Sequence, residues 1–148
     1  MDKFFTLPDA DKIEALEETG ARQAIPSAIV EKDFWVCWTL QRVFENPQLA
    51  PHITFKGGTS LSKAYRLIDR FSEDIDLTIS KDAPYLAEGK DAMEVGVSGK
   101  ERQRRIDALK ENAHRFVAEL ALPTLRQSIA AKLSDGWKLE LDGDDPDN

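Results

Sequence analysis

Apolar residues recur at helical spacing through the first third of the chain. Val30, Phe34, Cys37 and Trp38 share one face of a helix expected over 28–46, and Val36, Leu40, Val43 and Phe44 widen the apolar band around its side. A band that wide predicts a helix buried against more than one neighbour. Pro26 and Ser27 open this helix, and Pro47 and Pro51 end it. Upstream, Asp9 or Asp11 is expected to cap a first helix over 11–23, broken near Gly20. The pattern then changes. "HITFK" at 52–56 reads as a strand ended by Gly57 and Gly58. Leu61, Ala64, Tyr65 and Ile68 fall at i, i+3, i+4 and i+7, which predicts a short helix over 60–68. The β-branched run "IDLTIS" at 75–80 is the next strand.

The second half is more helical. Residues 81–99 carry few apolar anchors and read as a mobile loop, long enough to act as a lid. A strong helical pattern covers 100–122, with Ile106, Leu109, Phe116, Val117 and Leu120 as the expected buried side chains. Pro123 suits the first turn of a further helix running to about Leu133. Trp137 to Leu141 alternates as a strand does. No internal repeat is visible. Strand, helix and strand in so few residues make an α/β unit, with parallel and antiparallel pairing both open. The fold class is thus α/β (α+β): a small mixed sheet flanked by helices, in a single domain over 1–148.

Composition narrows the setting. The chain has 148 residues, 41% of them hydrophobic, which suits one water-soluble core and leaves no apolar run able to cross a bilayer. The N-terminus lacks the features of a signal peptide. Cys37 is the single cysteine, so no internal disulfide forms and a cytoplasmic location is expected. His52 and His114 stand alone without zinc-ligand spacing. A net charge of −7 argues against a generic nucleic-acid coat, although a local basic patch remains compatible with it. One such patch is "KERQRR" at 100–105, readable as an RNA-phosphate contact or as a solvated face paired with Glu101 and Asp107. The tail "LDGDDPDN" ends abruptly after a strand-like segment, and the chain reads as an N-terminal fragment of something longer.

The chemistry concentrates in "ITFKGGTSLSKAYRLIDRFSEDIDLTIS", residues 53–80. A helix N-terminus presents unpaired N–H groups and partial positive charge, and so attracts phosphate. Gly57 and Gly58 leave room for an anion there, and Thr59 and Ser60 add hydroxyl donors. The pattern is neither the Walker nor the dinucleotide glycine motif. Asp74 and Asp76 lie two apart on the following strand, so both point to one face, roughly 6–7 Å apart. Two carboxylates so placed repel unless a cation or a raised pKa relieves them, and Mg²⁺ favours a few carboxylates with water and phosphate.

Strand, Gly-Gly-Thr-Ser, helix, then Asp-x-Asp resembles the nucleotidyltransferase superfamily headed by DNA polymerase β. More narrowly, "FKGGTSLSKAY" with "RFSEDIDL", and "EKDFWVCWTL" upstream, resembles the AbiEii/AbiGii family of abortive-infection toxins from bacterial toxin–antitoxin systems. The resemblance spans 24–80. It implies that Gly57, Gly58 and Thr59 hold the triphosphate and that Asp74 and Asp76 hold divalent metal, Mg²⁺ or Mn²⁺. Ser60, Lys63 and Ser72 match recurrent polar positions of the same nucleotide site. Arg70 is expected to pair with Glu73 or Asp74, or to clamp phosphate. The implied partners are an NTP, an RNA (possibly tRNA) or protein acceptor, and a cognate antitoxin protein; no membrane is implied. Superfamily members usually add a third carboxylate on a later strand. Here the candidates are Glu140, Asp142 or a residue past Asn148. The implied activity is transfer of an NMP from a metal-bound NTP to an acceptor hydroxyl. The alternative is a non-catalytic module that binds nucleotide or a partner.

Overall fold

Two prolines set the starts of the N-terminal helices, one on each side of a tight corner. The computed structural model describes residues 1–57 and 74–142. A 3-10 turn at Asp2–Thr6 leads to Pro8, which occupies the cap position of α1, Asp9–Gln23. Neither Asp9 nor Asp11 caps this helix. Both sit in its first turn, where carboxylates meet the positive end of the dipole, and Asp9 Oδ1 takes Lys12 Nζ at 3.0 Å.

Gly20 does not break α1, contrary to expectation. It is buried, and a β-carbon there would lie 2.7 Å from the Ile25 carbonyl oxygen and 3.2 Å from Ser27 N. The glycine is therefore a packing device. Ala24 turns the chain through the left-handed region at φ 56, Ile25 N–H donates to Gly20 O at 3.0 Å, and Pro26 starts α2, Ser27–Phe44.

The wide apolar band on α2 is real in part. Val36, Trp38, Leu40 and Val43 are buried, whereas Phe44 is 38% exposed. The first turn supplies the cover. Phe4 stacks on Phe34 at 4.5 Å, and Phe5 meets Trp35 and Trp38 at 5.5 and 5.3 Å between ring centroids. Trp38 Nε1–H donates to Asp2 Oδ1 at 3.1 Å. The buried Arg42 places its guanidinium 3.6 Å from the same carboxylate and 2.9 Å from Glu45, a pairing that a buried cation requires.

Two strands follow, β1 (Ile53–Phe55) and β2 (Leu77–Ile79). Lys56 N–H donates to Asp76 O at 2.9 Å, and Ser80 N–H donates to His52 O at 2.7 Å. These two bonds share one antiparallel register, which settles the question the short connection left open and puts Thr54 opposite Thr78. The helix expected over 60–68 lies outside the described residues. The α/β (α+β) class expected from the sequence holds, and among the described residues the sheet is a pair of antiparallel strands. It divides into two compact units. Met1–Asn46 with Thr54–Thr78 forms the first, and Pro47–Ile53 with Ile79–Asn148 the second.

The second unit is built on α3, Gly99–Arg115, which continues through a π-helical turn at Phe116–Ala121 into α4, Leu122–Ala130. Pro123 explains the wide turn. It has no N–H to give and its ring crowds the preceding carbonyls, so the helix loosens by one residue: Leu122 N–H reaches back to Val117 O. Phe116 is fully buried at this point, with Leu49, Ile53, Ala83, Leu86 and Ile129 completing the core. Leu109, expected inside, is 44% exposed. The loop after β2 is pinned in its first part. Ala83 and Leu86 are buried, and Tyr85, held at φ 70, lies under the Arg115 guanidinium at 4.5 Å. Trp137 to Leu141 forms no strand, because no partner pairs with it among the described residues; the Leu139 carbonyl is instead taken by Arg126 Nε and Nη2.

Ser98 caps α3 by accepting from Glu101 N–H at 3.3 Å. Glu101 in turn binds Arg104 through both oxygens at 2.8 Å and Arg105 at 3.0 Å, while Arg105 also reaches Glu94 at 2.6 Å. The hydrogen bonds from Arg104, then those from Arg105, pull the Glu101 carboxyl down to about 2 from an ordinary 4.5.

Two outcomes test these contacts. Gly20→Ala should destabilise the protein by about 1–3 kcal/mol in urea denaturation, against the usual gain of alanine over glycine in a helix, because the backbone of Ile25 has no room to yield. An unchanged or raised midpoint would contradict the packing role. The folded-state pKa of Glu101 is depressed, so its contribution is present above its unfolded value near 4.5 and fades as pH falls through about 2. The melting-temperature gap between the wild type and Glu101→Gln should therefore be largest at about pH 6 and shrink on acidification. A gap independent of pH would rule out the ion pairs as its cause.

Candidate functional site

In the first unit the acid pair brackets a residue that shares a recess with α2. Ile75, between the two aspartates, lines an open apolar recess of about 300 Å³ with Lys32, Trp35, Val36 and Thr39 of that helix. Asp74 and Asp76 on either side of it are exposed. The alternation expected of a strand thus holds just ahead of β2, although the regular strand begins only at Leu77.

The glycine end of the motif meets the acid end directly. Gly57 follows β1 with φ 76, in the left-handed region that side-chain-bearing residues avoid. A β-carbon on Gly57 would overlap Asp76 Oδ2 and would lie 2.7 Å from its Cγ and 3.0 Å from its Cβ. The whole Asp76 side chain therefore runs along the bare face of Gly57. The neighbouring ladder bond from Lys56 N–H to Asp76 O holds the two backbones in that register. A side-chain-free bend and an exposed carboxylate share one small surface.

Of the predicted site residues, the described structure places Gly57, Asp74 and Asp76 and brings Gly57 to Asp76. Gly58, Thr59, Ser60, Lys63 and Ser72, with Arg70 and Glu73, lie outside the described residues. Among the described residues, no cluster of three or more His, Cys, Asp or Glu side chains forms a metal site. Two exposed carboxylates nevertheless fit a hard cation that completes its shell with water and substrate phosphate. Glu140, a candidate third acid, is exposed and binds Lys138 at 2.6 Å in the second unit. Asp142 is exposed as well. The basic run on α3 spends Arg104 and Arg105 on local carboxylates, which favours the solvated-face reading for those two. Burial pushes the half-buried Cys37 thiol up, so it is no ready nucleophile. No helix among the described residues is long and apolar enough to cross a membrane.

Sequence reasoning missed Ile75 as a residue that shares a recess with α2. The signal was present as one apolar residue between two acids, beside a helix with an over-wide apolar band.

Comparison with known families gives one match. The model of the nucleotidyl transferase AbiEii toxin family, of type IV toxin–antitoxin systems, matches residues 38–146. The match starts inside α2 and covers β1, the acid pair, β2, α3 and α4, well past the stretch that carried the resemblance in the sequence. No significant match is found among curated proteins or among solved structures. The chain belongs to the AbiEii family of nucleotidyl transferase toxins.

Proposed function

We propose that the chain moves a nucleoside monophosphate from an NTP to a hydroxyl on an RNA acceptor, a tRNA or other RNA 3′ end, with Asp74 and Asp76 holding Mg²⁺ or Mn²⁺. The observation that supports this most is the contact between Gly57 and Asp76, which joins the phosphate-turn half of the motif to the metal half. The family supplies the reaction class and implies an antitoxin counterpart.

In this reading the acceptor oxygen bonds to the α-phosphorus. The bond from that phosphorus to the α–β bridging oxygen breaks, pyrophosphate leaves, and the hydroxyl proton passes to water. A divalent cation, when bound, supplies charge neutralisation on the phosphates and acidifies the attacking hydroxyl. The protein's own residues position and neutralise. Asp74 and Asp76 present fixed negative charge to hold the cation. Gly57, Gly58, Thr59 and Ser60 offer a turn open to phosphate, Lys63 offsets its charge, and Ser72 orients the acidic segment. Ile75, between the two exposed acids, lines a recess with α2. None of these steps needs a covalent enzyme intermediate, so positioning and electrostatics carry the rate.

Asp74→Asn and Asp76→Asn, made separately, keep size and remove charge. Each should lower transfer of labelled NMP from an α-³²P NTP by about 10²–10³-fold or more and relieve growth inhibition on expression. Transfer and toxicity that survive both changes would refute the assignment. Metal-dependent NTP binding in calorimetry without any transfer to RNA or protein would favour the non-catalytic module.

A further inference from the structure

Gly57 was read from the sequence as part of a phosphate cradle. Its surroundings give it a second role. We infer that Gly57 is a positioning residue for Asp76: its missing side chain lets that carboxylate stand where it can bind a divalent cation, and so sets the metal affinity of the acid pair. This rests on the reading of Asp76 as a metal ligand.

The contacts separate two reasons for a glycine here. The backbone angle, φ 76, excludes most residues but tolerates asparagine, which visits the left-handed region at little penalty. The Asp76 side chain excludes every residue with a β-carbon. Turning the carboxylate about its last bond would clear the oxygen alone. It would not relieve the 2.7 Å approach to Cγ or the 3.0 Å approach to Cβ. Asp76 Cβ is tied to a backbone that Lys56 N–H holds at 2.9 Å, so the strand has little freedom to retreat. Rotation about the Cα–Cβ bond relieves the Cγ and Oδ2 contacts, leaving the milder 3.0 Å approach to Cβ, and it carries the whole carboxylate away from its present place. Asp74 would then keep its position and lose its partner, and a cation shared by two carboxylates would keep one of them.

A phosphate-cradle role and a positioning role act on different equilibria. The first acts on nucleotide affinity. The second acts on metal affinity with no nucleotide present. Mn²⁺ alone, followed by electron paramagnetic resonance on the full chain, reads the second directly. Wild type, Asp76→Asn, Gly57→Ala, Gly57→Asn and the double variant Gly57→Asn/Asp76→Asn form the set. Gly57→Asn matters most because it spares the backbone and keeps the β-carbon. Both Gly57 variants should weaken Mn²⁺ binding by about 10–100-fold, the range found when a residue supporting a metal ligand is lost. The double variant should bind no more weakly than Asp76→Asn, since Gly57 acts only through that carboxylate. A stability cycle gives a readout free of metal: Gly57→Ala should destabilise less in an Asp76→Ala background, where Oδ2 and Cγ are gone. Mn²⁺ binding at wild-type strength by Gly57→Asn, with Asp76→Asn defective, would overturn the inference and leave the metal assignment standing. Wild-type binding by Asp76→Asn would overturn the metal assignment itself, and the inference with it.

Discussion

The carboxylate of Asp76 against the bare α-carbon of Gly57 is the contact on which the functional reading depends. It is a steric constraint first and an electrostatic one second. A turn with positive φ brings the end of β1 close to the residue that opens β2, and only glycine leaves room for the acid that stands there. Without that vacancy the two halves of the motif would compete for one space. With it, they form one surface carrying an exposed negative charge.

Other features of the first unit serve to hold this surface in place. The aromatic packing of Phe4, Phe5, Phe34, Trp35 and Trp38 fixes the first turn on α2, and Trp38 and Arg42 share Asp2 as an anchor. The same helix offers Trp35 and Val36 to Ile75. Ile75 thus faces an apolar recess, while the acids on either side of it are exposed. The second unit has its own core around Phe116. Its helix pays for Pro123 with a π-turn, since a proline ring fits a helix interior only where the preceding turn widens.

Much of this was legible in the residues. The start of α2 at Ser27 and both strands follow from periodicity and turn chemistry. The failures share a physical origin, which is that local pattern does not report what lies across from it. Gly20 looked like a helix breaker because its partner, the Ile25 carbonyl, is defined only once the chain has turned. Trp137 to Leu141 alternates like a strand, but alternation without a neighbouring edge to pair with leaves the backbone irregular, and Arg126 claims the Leu139 carbonyl. Leu109 fits the helical stripe of α3 and still faces solvent. The run at 100–105 leaves two readings open in the sequence, and Glu101 and Glu94 beside Arg104 and Arg105 favour the solvated face.

The central claim is that a divalent cation binds where Gly57 and Asp76 meet. Paramagnetic broadening of backbone amide signals by substoichiometric Mn²⁺ tests it most directly. The account predicts that Lys56, Gly57 and the amides of Ile75, Asp76 and Leu77 broaden first. Earliest broadening at the acidic segment following Leu141, with these five amides unaffected, would contradict it.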